Sequence, residues 1–373
     1  MRNKNFLHFL LLTIGHLWIS HSHAFEGVTS LSMGKVSYVG SGELSVDGNP
    51  ANIGKNPGSG YIYFALPKYS HTKTNTSHFK DKLEDFLQYR NQNISAPNAV
   101  NVSNMVFARD SLIDKIDMTS TEVVAGIVLP KFPVGLTAYT RAYRKEVRHI
   151  EIYGETDVSS PATPILASSH HTRALTLLET GASLSKQFGE DSNGTPRWSF
   201  GIRPKLVSTQ THKKEIELLE YGLTQPKTST NTSSWFDLDL GLIHDFSFNW
   251  SGFFEIENAL TDSPRLPKSD MKPYLSLGSV YSKTKFLYTT QVDLTRSTSW
   301  IGEKNTRRAA FGTLYRLNDR LNLSGGLGLD AETFREYSYS LGIHATILIV
   351  DLSLSYEMDA PYETIMFQVG LDL

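Results

Sequence analysis

The chain has 373 residues, of which 36 are Lys or Arg, 38 are Asp or Glu and none is Cys, and 40% are hydrophobic. This composition excludes a disordered tail and a disulfide scaffold. The formal net charge of −2 gives no reason to expect nucleic acid as a partner. The length suits one large β domain or two ordinary ones.

Residues 1–24 predict a signal peptide. Arg2 and Lys4 precede an apolar stretch from Phe6 to about Ile19, and Ser22-His23-Ala24 supplies a small-x-small cleavage pattern. An uncleaved membrane anchor is the alternative, although the stretch is shorter than the roughly 20 residues that a membrane-spanning helix needs. No later stretch approaches the roughly 18 consecutive apolar residues of such a helix, so any further contact with a membrane is expected to use strands.

Residues 76–94 predict a helical insertion in a chain that otherwise favours strands. In TSHFKDKLEDFLQYRNQN, the apolar residues Phe79, Leu83, Phe86 and Leu87 recur at helical spacing. A helix on the membrane surface is one interpretation. A helix that folds over or into the β structure through its apolar stripe is the favoured one.

The first half of the chain contains irregular strand patterns. TEVVAGIVL (121–129), GLTAYTRAY (135–143) and VRHIEIYGE (147–155) predict three successive strands. ETGASLSKQFG (179–189) and RWSFGIRPKLVST (197–209) predict a hairpin around Asn193-Gly194. Because Pro204 has no N–H to donate to a ladder, we expect a bulge there or a position near a rim.

The second half alternates with a period of two. In WFDLDLGLIHDF, apolar Phe236, Leu238 and Leu240 oppose Asp237 and Asp239, and FLYTTQVDLT and LNLSGGLGLD repeat the pattern. In REYSYSLGIHATILIVDLSLSYEMD the apolar residues change from odd to even positions, which predicts a tight turn near residues 346–351.

Alternation leaves open whether the apolar face meets a core or lipid. A secreted soluble β-sandwich would turn its apolar side chains inward. Here the polar set is rich in Gly, Ser, Thr and Asp, as in a lumen, while the apolar set carries Tyr or Trp near strand ends, as in a lipid belt. We therefore predict an all-β protein: a transmembrane antiparallel β-barrel of about 14 strands in the bacterial outer membrane, formed by residues 59–373.

Charged residues of the polar set are predicted to line the lumen. They are Arg203, Asp237, Asp239, Glu255, Glu257, Asp293 and Arg316. Carboxylates two residues apart could also serve glycoside hydrolysis, but a charged lumen is the favoured interpretation. There is no nucleophile elbow, HExxH motif or Cys nucleophile, and adjacent His170 and His171 would point apart on a strand, so we predict no enzyme, metal site or cofactor.

The stretch SLSMGKVSYVGSGELSVDGNPANIG resembles the opening of FadL and PorV-like outer-membrane barrels. A methionine-glycine pair and an asparagine-proline-alanine motif fall at Met33, Gly34, Asn49, Pro50 and Ala51. The resemblance implies that residues 25–58 form a plug segment. It departs from the family's glycine-rich opening, because Lys35, Val36 and Ser37 follow Gly34.

A series of later motifs resembles the conjugal transfer proteins of the TraF type. In chain order they are LETGASLSKQFG, WSFGIRPKLVSTQTH, FDLDLGLIHDF, FEIENALTDSPRLP, VDLTRS, AFGTLYRL and MFQVGLDL. This resemblance implies a non-enzymatic envelope component linked to plasmid or mobile-element transfer, with conjugation or other envelope proteins as partners. The FadL resemblance implies the alternative of a passive channel for hydrophobic small molecules.

The final strand carries apolar residues on alternate positions. In a barrel the last strand pairs with the first, because an open edge in lipid leaves backbone groups unsatisfied. We expect Phe367, Val369, Leu371 and Leu373 to form the strand that the barrel-assembly machinery reads. The expected partners are thus the lipid bilayer and that machinery.

Overall fold

The fold is seen in a computed structural model, which describes most of the chain after residue 47. The described ranges are 48–55, 63–74, 78–112, 115–129, 134–154, 156–162, 164–190, 196–260, 273–296, 307–318, 320–332, 337–347, 350–359 and 362–372. The predicted signal peptide, Met33, Gly34 and Leu373 lie outside these ranges.

The described residues form fourteen strands and two α-helices. The strands are β1 (Tyr63–Thr74), β2 (Asp117–Leu129), β3 (Gly135–Ile152), β4 (Ser168–Glu190), β5 (Pro196–Glu217), β6 (Lys227–Ser247), β7 (Trp250–Glu257), β8 (Tyr274–Lys283), β9 (Phe286–Asp293), β10 (Arg308–Asn318), β11 (Leu321–Asp330), β12 (Tyr337–Ile347), β13 (Val350–Asp359) and β14 (Tyr362–Asp372). The helices are α1 (His78–Ser95) and α2 (Ala99–Asp110), and short 3₁₀ helices lie at Pro50–Lys55 and Leu218–Glu220.

Each strand pairs antiparallel with the next, and β14 pairs with β1, so the sheet closes into a barrel. The seam runs from Tyr63 opposite Asp372 to Thr74 opposite Tyr362. Closure satisfies the backbone groups of both terminal strands, as lipid surroundings require. The predicted antiparallel β-barrel and the pairing of its last strand with its first are confirmed.

The two ends of the barrel have different connections. At one end β6 joins β7 through residues 248–249, and β8 joins β9 through residues 284–285. At the other end lie both helices and residues 156–162, 218–226 and 258–260. Short turns are typical of the periplasmic end of such barrels and long loops of the extracellular end, which orients this one.

The apolar set of each strand faces outward. Phe236 and Leu341 are 58% and 68% exposed, whereas Asp237 and Asp239, beside Phe236 on β6, are 0% and 1% exposed. A barrel surrounded by lipid has this arrangement, with apolar side chains outside and carboxylates inside, and a soluble sandwich has the opposite one. In the part of the chain that the structure describes, no helix is both long and apolar enough to cross a membrane.

Strands β3 to β6 are about twice as long as those that follow. They have 18, 23, 22 and 21 residues, against 8 to 11 for β7 to β14. Their outward positions change from apolar to polar partway, from Leu178 to Thr176 on β4 and from Leu206 to Ser208 on β5. These strands therefore extend beyond the lipid belt on the long-loop side.

The extension corrects one prediction. Residues 135–143 and 147–155 were predicted to form two strands, but β3 runs without interruption from Gly135 to Ile152. The polar stretch Arg144–Glu146 between them lies where the strand emerges from the bilayer, so polarity there marks a change of solvent and not a turn.

The two helices form a hairpin that packs on the strand tips of this extension. Phe79, Leu83 and Phe86 of α1 are buried with Val102 and Met105 of α2. The other side of the same cluster consists of Ile150 of β3, Leu166 just before β4 and Leu218 just after β5. The predicted apolar stripe thus binds the extension, and α2 is an element that the sequence pattern did not indicate.

Two prolines in strands are accommodated differently. In β1 the register shifts by one residue between Ala65 and Lys68 against β2, which places a bulge at Pro67. Pro204 has no bulge, because Lys205 opposite Gly181 and Ile202 opposite Leu184 keep one register. It lies within the apolar belt of β5, so the predicted bulge or rim position was wrong.

Candidate functional site in the barrel lumen

The segment Asn49–Ile53 lies against the inner wall, opposite glycines of three strands. A Cβ atom on Gly201 would overlap the backbone of Pro50, and one on Gly241 would lie 2.9 Å from Ala51 N. A Cβ atom on Gly135 would lie 2.6 Å from Ile53 Cγ2. We call Gly135, Gly201 and Gly241 the glycine seat, because the segment fits only where these side chains are absent.

Hydrogen bonds fix the segment in the glycine seat. Ser185 and Ser199 both donate from Oγ to the carbonyl oxygen of Ala51, at 3.1 and 2.5 Å. Asn49 donates from Nδ2 to the carbonyl of Phe254 at 3.3 Å, while its Oδ1 accepts from Ala51 N at 3.0 Å. The Asn-Pro-Ala motif therefore bonds to itself and to three strands.

An apolar layer on β6 to β10 packs with Ala51 inside the barrel. Its buried members are Ile243, Phe253, Val280, Leu287, Ala310 and Leu314 from β6 to β10. Because the neighbouring inward residues of these strands, such as Glu255, Ser276 and Gln291, are polar, this layer gives the lumen an apolar band next to the short-turn end.

A network of buried charges lies next to the segment. Arg203 Nη1 is 3.4 Å from Asp239 Oδ2, and Lys205 Nζ is 2.8 Å from Asp239 Oδ1. Lys205 Nζ also lies 3.7 Å from Glu179 Oε2, and Tyr139 donates its hydroxyl to Glu179. All five side chains are at most 5% exposed. Such groups stay charged in a barrel only because each faces a partner.

Arg203 connects the network to the N-terminal segment. Its Nη2 donates to the carbonyl of Gly48, its Nε donates to Ser183 Oγ at 2.9 Å, and its guanidinium carbon lies 5.4 Å from the centre of the Tyr139 ring. Movement of the segment would therefore remove a partner from a buried arginine.

The predicted carboxylates of β6 hold a loop. Asp237 Oδ1 accepts from the backbone N of Leu260 at 3.1 Å, and Asp239 Oδ1 accepts from the backbone N of Asn258 at 2.8 Å. Both carboxylates thus hold the chain just after β7.

The other predicted lumen charges are distributed along the wall. Glu255 interacts with Arg203, and Glu257 with Lys205 and Arg141. Asp293 accepts from the backbone N of Arg308 at 3.1 Å. Arg316 is the exception, because it lies near the short-turn end with an exposed side chain, and Arg308 is the arginine beside Asp293.

Sequence reasoning missed Tyr139, Glu179 and Lys205. Their alternation with outward Thr140, Leu178 and Leu206 was the available signal, but irregular patterns in the first half concealed it. Within the described ranges, no group of three or more His, Asp or Glu residues is arranged to hold a metal ion.

Of the predicted C-terminal strand, Phe367 is outward and 43% exposed. Val369 is half-buried, and Leu371 is opposite Phe64 in the seam. The outward side chain of Phe367 fits a lipid-facing strand, while reading by assembly machinery stays a prediction.

Residues 48–293 match the protein family described as "F plasmid transfer operon, TraF, protein". No curated protein matches the chain in sequence. Among solved structures, the Ralstonia pickettii toluene transporter TbuX is similar with a TM-score of 0.55 and 12% identity, over 94% of this chain and 97% of that one. The Pseudomonas putida toluene transporter TodX is similar with a TM-score of 0.50 and 12% identity, over 95% and 98%. At this identity the likeness is one of fold.

Proposed function

This chain belongs to the TraF family of the F plasmid transfer operon, and from that premise we propose that it is a non-enzymatic outer-membrane barrel, closed by its own N-terminal segment, that serves an envelope assembly for conjugal transfer. The family description supports the link with transfer, and the lumen supports the closed state.

The observation that carries the closed state is the fit between the segment and the glycine seat. Gly201 and Gly241 admit the backbone of Pro50 and Ala51 at distances that no side chain would permit. The two serine bonds to the Ala51 carbonyl add a specific attachment. A wall shaped for one particular backbone favours a resident segment over a freely permeated pore.

The luminal charges favour the same conclusion. Arg203, Lys205, Glu179 and Asp239 satisfy one another and the Gly48 carbonyl. Displacing the segment exposes a charged lumen, which would suit water and ions better than an apolar solute.

Planar-bilayer conductance of Gly201→Ala tests the closed state. We expect the wild-type barrel to conduct little, and the variant to conduct more because its new methyl group displaces Pro50. Gly325→Ala is the matched control, since a Cβ atom there would lie 3.7 Å from its nearest neighbours, an ordinary contact. Equal conductance of all three proteins would contradict closure by this segment.

The transfer role is tested in donor cells. Deletion of the gene is expected to lower transfer of the mobile element, and the wild-type chain to restore it. Normal transfer from the deletion strain, with the barrel present in the wild-type outer membrane, would show that this outer-membrane barrel is not needed for conjugal transfer.

A passive channel for hydrophobic small molecules is the second candidate. The apolar layer of Ile243, Phe253, Val280, Leu287 and Leu314 inside the lumen favours it, as does the fold shared with two toluene transporters. Toluene uptake by cells that express the chain, compared with cells that express Gly325→Ala and Phe253→Asp, distinguishes the candidates. Uptake that Phe253→Asp abolishes would favour the channel.

A further inference from the structure

The outer wall carries a groove across β6 to β9. One row of cross-strand partners runs from His244 to Gly252, Ser279 and Thr290. The side chains of the last three are absent or small, whereas the outward positions around them are mostly large. The row from Gly252, which lies against the ring of Phe246, to Thr290 therefore forms the floor of a groove one residue wide and, over two strand spacings, roughly 10 Å long.

Apolar side chains form the walls of this groove. The next row, on the long-loop side, consists of Phe254, Leu277 and Val292. Phe246 lies on the short-turn side, and the ring of Trp198 stacks on His244 at 3.9 Å to close one end. The volume of this open groove is about 530 Å³, within the range of small-molecule sites.

The two hydroxyl groups on the floor bond to each other. Ser279 Oγ and Thr290 Oγ1 are 3.1 Å apart. These two hydroxyl groups thus satisfy each other, which leaves the part of the groove above Ser279 and Thr290 suited to an apolar occupant.

The groove opens to lipid and not to the lumen. The ladders from β6 to β7, β8 and β9 continue past it, so a paired sheet separates it from the luminal charges. It lies within the apolar belt, close to the turn at residues 248–249. The short-turn end faces the periplasm, so the neighbouring lipid is a phospholipid of the periplasmic leaflet.

We propose that this groove is a binding site for one acyl chain of a phospholipid from the periplasmic leaflet. A flexible, narrow chain matches a long groove one side-chain row wide, and the site is continuous with the surface that the bilayer already covers. In lipid the preference comes from van der Waals contact with the walls, since burial from water contributes nothing there. The proposal is independent of the transfer and channel roles.

Filling the floor tests the site. Thr290→Phe places a ring in the groove, and Thr180→Phe is the matched control, because Thr180 is also outward and 3.4 Å from a partner hydroxyl, Thr140 Oγ1. Each barrel is reconstituted in phosphatidylethanolamine nanodiscs, released, and examined by native mass spectrometry. We expect about one retained phosphatidylethanolamine per barrel for wild type and control, and loss of it for Thr290→Phe.

Folding is checked by heat-modifiable migration in gels, and Ser279→Leu serves as the second filling variant if Thr290→Phe does not fold. Equal retention by the filled variants and the control would overturn the proposal. A dimer in the wild type that the filled variants lose, without retained lipid, would overturn it in favour of a second copy of the chain. Unchanged conductance in the variants keeps this result separate from the luminal function.

Discussion

Strands β4 to β6 divide into a part inside the lipid belt and an extension beyond it, and the two parts reverse their chemistry. In the belt the outward positions are residues such as Leu184 and Leu206, whereas in the extension they are Thr176 and Ser208. The strands continue through the change without a break in register. Backbone hydrogen bonding between the strands is thus the same in lipid and in water, and only the side chains differ between the two parts.

The inward positions change in the opposite direction. Lys205 and Glu179 face the lumen within the belt, while Val207, Leu177 and Leu175 occupy the next inward positions above them, buried to 0%, 6% and 1% exposure. At this level the extension therefore has an apolar interior, as a soluble protein does, and its helical hairpin adds a core of its own. A hydrophobic period of two residues identifies a strand. The composition of its outward and inward residues then indicates whether each face meets lipid, water or a packed interior.

Removing one buried lumen charge is the largest effect that we expect. Asp239→Asn removes the carboxylate that Lys205 and Arg203 share, so that Lys205 keeps only Glu179 and Arg203 keeps Glu255 and Glu179. Breaking such a buried pair costs about 3–5 kcal/mol. The control is Glu332→Gln, because Glu332 binds Arg296 at 2.8 Å on the exposed long-loop side, where a pair contributes about 0–1 kcal/mol. Urea unfolding of both variants in lipid vesicles measures the difference. Equal losses would show that the lumen is as well hydrated as the loops.

Much of the belt could be predicted from the sequence. Alternation in the belt part of β6, in β9 and in β11 to β14 showed outward Phe236, Leu327 and Leu341, because a stretch with one lipid face and one polar face has a single pattern from end to end. The reversal between β12 and β13 followed from the change of apolar residues from odd to even positions.

The extension could not be predicted in the same way. A strand that leaves lipid changes its pattern midway, so the sequence of β3 looked like two strands around Lys145. The second helix has a weaker stripe, in which Val102 and Met105 are buried but Val100 and Phe107 are exposed. The glycine seat was hidden as well, since Gly201 and Gly241 become meaningful only when Pro50 is seen against them.

An outward charge in each part of β4 tests the comparison directly. Leu184→Arg places a guanidinium in the middle of the apolar belt, where it costs about 2–4 kcal/mol, whereas Thr176→Arg on the same face of the same strand should change stability by at most about 0.5 kcal/mol. Refolding and unfolding in vesicles of defined thickness give both values. A large loss of stability in Thr176→Arg would show that the lipid belt reaches Thr176, and that the extension is shorter than described above.

The smallest expected effect concerns the helical hairpin, which should follow the rules of soluble helices. Asn98 is the N-cap of α2, and its side-chain oxygen accepts from Asn101 N at 2.8 Å. Asn98→Ala removes this bond, for a loss of about 0.5–2 kcal/mol that is confined to the hairpin. Hydrogen exchange should therefore become faster in α2 and stay unchanged in β9 to β14, and exposed Ser103→Ala is the control. If the barrel amides exchange faster together with those of α2, the hairpin and the belt unfold as one unit. The two parts would then differ in their solvent but would share one free energy of unfolding.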